Sequence, residues 1–197
     1  DVLPLVVVDP PLRRVNYATM VTAATQAGLA VVVVQLAGPY GVEPSTAAVL
    51  LAVMGAGNLA VALLLSAMPL TGDPDRLTTR QVAVVGACFG VCALAPTFGW
   101  GVAAFALMGA ATAPFVTATF AARNTYAPPQ ARGQVFVTLS ALKITAASGG
   151  TALAGLLVTL GPVIMLVVGG SAVLLAALAT VVDRRLQPAL AVDDPRE

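Results

Sequence analysis

Of the 197 residues 58% are apolar and only 10% charged, with a mean hydropathy of +0.92, whereas a soluble domain carries about 25% charged residues, so too little polar surface exists for a water-soluble globule. Ten Lys+Arg stand against nine Asp+Glu, a net charge of +1, and no charged field points to a nucleic-acid partner. Histidine is absent, which removes the usual general base and the commonest metal ligand and weighs against zinc proteases, His-dependent membrane proteases and haem proteins.

The chain opens on Asp1, and its first apolar run, Val2 to Val8, is broken by Pro4 and closed by Asp9-Pro10-Pro11. That run is too short for a signal peptide and has no basic front. Residues 1–14 read as a cytoplasmic linker that starts at a cut within a longer protein.

Charge-poor runs of about 20 residues follow, and about 20 residues at 1.5 Å rise cover a hydrocarbon core of about 30 Å. Span one is predicted over about 15–37 and span two over about 46–68, separated by "GPYGVEPS". From Gln81 to Ala122 there are 42 residues without a charge, too many for one crossing. Pro96 and Gly99 in "LAPTFGWG" divide the run into span three, about 81–95, and span four, about 98–122. Span three is thin and borrows Thr78 to Arg80, with the arginine snorkelling. Span five covers about 135–160 and span six about 162–182, with Gly161-Pro162 as the tight turn. Residues 183–197, rich in charge and with two prolines, read as a disordered cytoplasmic tail. The expected fold is an all-α integral membrane bundle of six transmembrane helices over residues 15–182.

Loop charges test that count independently. Arg13, Arg14, Arg76, Arg80, Arg123, Arg132, Arg184, Arg185 and Arg196 all fall in alternate connections or at the ends, while the other three loops hold no Lys or Arg. This is the positive-inside pattern for six spans with both ends cytoplasmic. The expected location is the plasma membrane, multi-pass, with the lipid bilayer as the first partner.

Small residues recur in the spans, including Gly86 and Gly90 at four-residue spacing and Ala146, Gly150 and Ala154. They allow close helix approach, and generic bundle packing explains them without dimerisation. Cys88 and Cys92, one turn apart, read as small packing residues. No metal site or other cofactor is expected.

The polar residues within the spans are the candidate site. Asn16, Gln26 and Gln35 lie in span one, Asn58 in span two, Thr112, Thr117 and Thr119 in span four, and Ser140, Lys143, Thr145 and Ser148 in span five. For the amides, an interhelical hydrogen bond of about 1 kcal/mol and a polar cavity lining both fit. Pro114 fits a tolerated kink or a hinge. Lys143 differs in magnitude, because a lysine at the centre of a span costs about 2.5–3.5 kcal/mol. Eight residues from Val135 place it about 12 Å deep, where snorkelling is strained. At 100° per residue its neighbours are Phe136, Leu139, Ser140, Ala146, Ala147, Gly150 and Ala154, a small face suited to a protein interior. Lys143 therefore offers a positive charge to an anionic substrate or a proton-exchanging amine. A Ser-Lys pair of Ser140 or Ser148 with Lys143 is the one conceivable catalytic arrangement, and nothing else of an active site accompanies it. The chain reads as no enzyme.

Two loops carry a family resemblance. "DRLTTR" keeps Asp75, Arg76 and Arg80 of the pattern G-x-x-x-D-R-x-G-R-R but has Thr71, Thr78 and Thr79 at the other defined places, and Pro128 to Gly133 follows P-x-x-x-R-G. With six spans and cytoplasmic ends, the chain resembles the C-terminal half, helices seven to twelve, of a major facilitator superfamily transporter. The resemblance implies a twelve-helix protein whose N-terminal six-helix half is the partner. It also implies a small-molecule substrate, alternating access, and for a common branch of the family proton-coupled efflux of drug-like compounds. Spans one and four then line the cavity, two and five lie beside it, three and six are peripheral, and the Asp75–Arg76–Arg80 loop affects switching. A self-contained six-span protein acting by oligomeric assembly is the alternative.

Overall fold

Asp9 accepts the Leu12 N–H at 3.1 Å, and Pro10 and Pro11 occupy first-turn positions where a missing N–H costs nothing. The first helix therefore starts ahead of its apolar run. The computed structural model describes residues 9–68 and 70–186. Helix α1 (Pro10–Ala27) passes through Gly28 into α2 (Leu29–Tyr40), and together they make one crossing, Pro10–Tyr40. Gly41, in the left-handed conformation at φ 64°, ends it by donating to Ala37 and Gly38 carbonyls.

A short α3 (Pro44–Ala47) leads into α4 (Val49–Ala67), then come α5 (Pro74–Ala93), α6 (Phe98–Tyr126) and α7 (Arg132–Leu156). One turn of 3₁₀ helix (Val158–Leu160) precedes α8 (Pro162–Leu186). The break between α5 and α6 falls at 94–97, where the sequence placed it, and α6 runs unbroken through Pro114. Among the described residues four helices open on proline: α1, α3, α5 and α8.

Among the described residues five segments are long and apolar enough to cross a membrane: Pro10–Tyr40, Pro44–Ala67, Phe98–Tyr126, Arg132–Leu156 and Pro162–Leu186. These helices are compatible with a membrane location. The expected sixth, α5, begins at Pro74 and not near 81, and its first two turns carry Asp75, Arg76 and Arg80, so its 20 residues fall short of that measure. Two further boundaries move. Residues 10–14 of the expected linker are helical, and Asp183–Leu186 of the expected tail continue α8, because no helix breaker precedes Pro188. Residues 1–8 and 187–197 of the two segments lie outside the described residues.

The helix neighbours follow a rule. Take α1–α2, α3–α4 and α5 as one triplet and α6, α7 and α8 as the other. The second member of each packs on the first of the other (α4 on α6, α7 on α1), and the third does the same (α5 on α6, α8 on α1). The two first members touch, as do the two third members. Exchanging the triplets leaves these pairings between them unchanged; inside the triplets the match is incomplete, since α1 touches α5 while α6 and α8 make no contact of like extent.

Three of these crossings are built on glycine from both sides. A Cβ on Gly109 would stand 1.8 Å from the Met54 carbonyl oxygen, and one on Gly57 2.3 Å from that of Ala106. On Gly150 it would lie 2.1 Å from the Ala24 oxygen, and on Gly28 3.1 Å from the Ala154 Cβ. Gly86 and Gly170 do the same for α5 on α8, at 2.9 Å from Leu174 and 2.8 Å from Phe89. Small residues permit such backbone approach, and dispersion over the close contact helps to hold the pair. Gly90, paired with Gly86 by spacing, has nothing within 4 Å.

The core, with Leu50, Phe89, Phe105, Met108 and Leu166 fully buried, lies between α2, α4, α5, α6 and α8, and Cys88 and Cys92 pack there as free thiols. The flanks differ. Only 6% of the most apolar stretch of Pro44–Ala67 and 11% of that of Arg132–Leu156 is buried, against 39 to 56% in the other three crossings.

Candidate functional site

The arginines gather at one end of the bundle, and there α1, α5 and α8 are joined by charge. Arg14 and Asp75 are each 4% exposed. Asp75 Oδ2 accepts from Arg14 Nη2 at 2.9 Å and Nε at 3.2 Å, and from Arg184 Nε at 3.0 Å. Arg14 reaches on with Nη1 to Asp183 Oδ2 at 3.2 Å, and Asp183 also takes Arg13 at 2.5 Å. Arg184 Nη2 donates to the Asp75 carbonyl at 3.1 Å and to Thr79 Oγ1 at 2.8 Å, and Thr180 donates to Thr79 at 3.2 Å.

Local sequence explains the positions. Pro74 starts α5 so that Asp75 sits in its first turn, where a negative charge suits the helix dipole. Arg184 lies in the last turn of α8, where a positive charge suits it. Planar guanidinium forks bridge two carboxylates as a lysine would not. The clasp is thus a network centred on the buried Arg14–Asp75 pair, with Arg13, Asp183 and Arg184 partly exposed around it.

Of the predicted loop residues, Asp75 is central to this clasp, while Arg76 and Arg80 are exposed, Arg76 reaching only Asp73 at 3.6 Å. Asp73 takes the Tyr126 hydroxyl at 2.7 Å. Burial raises the Asp73 carboxyl pKa, but that hydroxyl and the nearby N–H groups of Arg76 and Asp75 outweigh it and hold the group below its ordinary value.

The candidates inside the spans do not converge on one point. Asn16, Gln26 and Gln35 are strung along α1–α2, so at 1.5 Å per residue the first and last are about 28 Å apart. Gln26 donates to Thr112 Oγ1 at 2.9 Å, joining α1 to α6, and Thr112 in turn donates to the Met108 carbonyl. Gln35 donates to the Val158 carbonyl at the other end of the bundle. The Oδ1 of Asn16 and Oε1 of Gln35 are buried without partners, and Asn58 is half-buried on α4. Ser140 and Lys143 are both exposed on α7, and among the described residues they make no hydrogen bond to each other. No cluster of three His, Cys, Asp or Glu suited to a metal occurs among the described residues.

Sequence reasoning missed Arg14, Thr79, Thr180, Asp183 and Arg184 as clasp members. One signal was available for the last two: "VVDRRL" continues the apolar helix with no breaker until Pro188. No protein-family model, curated protein or solved structure matches the chain.

Proposed function

We propose that this chain is the C-terminal six-helix half of a secondary transporter of the major facilitator superfamily. It moves a small molecule across the plasma membrane by alternating access against an N-terminal six-helix half, with both ends of the described chain cytoplasmic. The observation that carries the reading is the set of pairings between the two helix triplets, which survives their exchange as two inverted three-helix repeats would require. It leaves α4 and α7 as flanks with bare faces, on which a second half can close.

On this reading the clasp is the switching device. It locks the cytoplasmic ends of α1, α5 and α8 in one state, and its opening frees them in the other. Lys143 on the bare side of α7 is the coupling or substrate charge, since an ionisable group within a span is costly unless it is used. The substrate class proposed is a drug-like compound exported in exchange for protons.

The test uses the full-length protein in vesicles, measuring proton flux driven by a panel of anionic and cationic compounds. Lys143→Ala is expected to abolish flux with insertion intact, and Lys143→Arg to keep part of it. A chain that drives no flux with any compound and purifies as a closed homo-oligomer defeats the reading and leaves the self-contained six-span assembly.

A further inference from the structure

Helix α1 stops at Gly28, and beside that break the bundle holds a cavity of about 150 Å³. Its floor is Leu29, Val32 and Phe89, none more than 3% exposed. Its rim is Leu153 of α7, Leu160 of the 3₁₀ turn and Val168 of α8, all exposed. No charged side chain lines it. The one hydroxyl in its wall, on Thr25, lies 3.0 Å from both the Val21 and Thr22 carbonyls, so its proton is spent on its own helix.

The helix crossings account for the space. Gly150 brings the α7 backbone against the Ala24 carbonyl, and a Cβ on Gly169 of α8 would stand 3.2 Å from the Phe89 ring and 3.7 Å from the Thr25 Cβ. Both α7 and α8 therefore lean on the stretch of α1 that ends at Gly28, while they make no contact of like extent with each other. The gap left between them over the break is the cavity, and its rim opens sideways between α7 and α8. Protein interiors hold few voids larger than a water molecule. A space of about this size lined with apolar groups stays dry, because water finds too few partners there, and it takes a benzene ring or a xenon atom.

We propose that this cavity is a binding site for a small apolar molecule of about one aromatic ring, which enters between α7 and α8. Phe89 in the floor offers ring-to-ring contact, and the Met165 thioether in the wall is a favourable neighbour for a ring. The site depends on the packing of α1, α7 and α8 and is independent of transport.

The experiment uses the full-length protein in phosphatidylcholine nanodiscs, with benzene as the probe and the rise in Tm as the readout, and xenon NMR as a second measure. Wild type is expected to melt higher as benzene is added and to reach saturation. Ala172→Leu places three more carbons in the cavity from α8 and is expected to need at least about tenfold more benzene for the same rise. Wild type and variant share one bilayer composition, so partition of benzene into lipid cancels. If Ala172→Leu does not fold, Leu153→Phe narrows the cavity from α7 and takes its place. Ala103→Leu adds the same three carbons at an exposed position of α6 and should leave the benzene response within about twofold. Phenol, compared at equal concentration in the bilayer, should bind at least about tenfold more weakly, since its hydroxyl would be buried without a partner. Met165→Ala enlarges the cavity and should shift the preference from benzene toward naphthalene.

A bound-xenon signal in wild type that Ala172→Leu loses supports the site, and its absence from wild type overturns it. An equal benzene response in wild type and the filled variant also overturns it, assigning the effect to the bilayer or the cavity to a lipid acyl chain. So does phenol that binds as tightly as benzene, which would make the cavity a wet one.

Discussion

Helices α5 and α8 meet twice, by opposite means. At the arginine-bearing end Asp75 and Thr79 hold Arg184 and Thr180 through hydrogen bonds and ion pairs, and two turns further along Gly86 and Gly170 bring the backbones together with no polar contact. Near an end, charges keep partial access to water, as the 28% exposure of the Asp183 side chain illustrates. In the apolar depth an ion pair would be desolvated on both sides, so close packing takes over. The first kind of joint depends on protonation, salt and partner choice. The second depends only on shape.

Breaking the polar joint gives the largest expected effect. Asp75→Asn takes the carboxylate from Arg184 and leaves buried Arg14 only Asp183, and is expected to cost about 3 kcal/mol, the low end of the range for a buried pair that loses one partner. Thermal unfolding in nanodiscs measures it, and Arg14→Met combined with Asp75→Leu should recover much of the loss. Breaking the shape joint comes next. Gly109→Ala and Gly150→Ala push a methyl into a carbonyl oxygen and are expected to cost about 1–3 kcal/mol, whereas Gly90→Ala, in open space, should change stability by less than about 0.5 kcal/mol. An equal response at Gly90 would remove the distinction between crossing and non-crossing glycines.

Smaller effects sharpen the contrast. Gln26→Leu deletes the bond to Thr112 and is expected to cost about 1 kcal/mol, read as a change in the denaturation midpoint. Raising salt should weaken the partly exposed Arg13–Asp183 pair by under about 1 kcal/mol and leave the glycine variants' differences untouched. Salt sensitivity of those differences would show that charge reaches the crossings as well.

The sequence made the helices legible where chemistry was local. Hydropathy located the apolar runs, and Pro96 and Gly99 divided the longest of them correctly. Helix ends were less legible, because a hydropathy run marks hydrocarbon thickness and a helix continues into charged residues, as α5 and α8 do. Proline in the first turn carried the missing start signal at Pro10, Pro44 and Pro74. The clasp was half legible. Asp75 stood out through its loop pattern, but Arg14 and Arg184 lie 61 and 109 residues away along the chain, and only tertiary packing brings them together. The break at Gly28 left no mark in the hydropathy of span one.

The separation along the chain also sets an order of assembly. Arg14 and Asp75 emerge from the ribosome before the last helix is made, so they can neutralise each other while α8 is still being synthesised. Asp183 and Arg184 arrive last and close the set. A chain whose final helix packs out of place leaves the Arg14–Asp75 pair short of Asp183 and Arg184, and is expected to be less stable than the closed bundle.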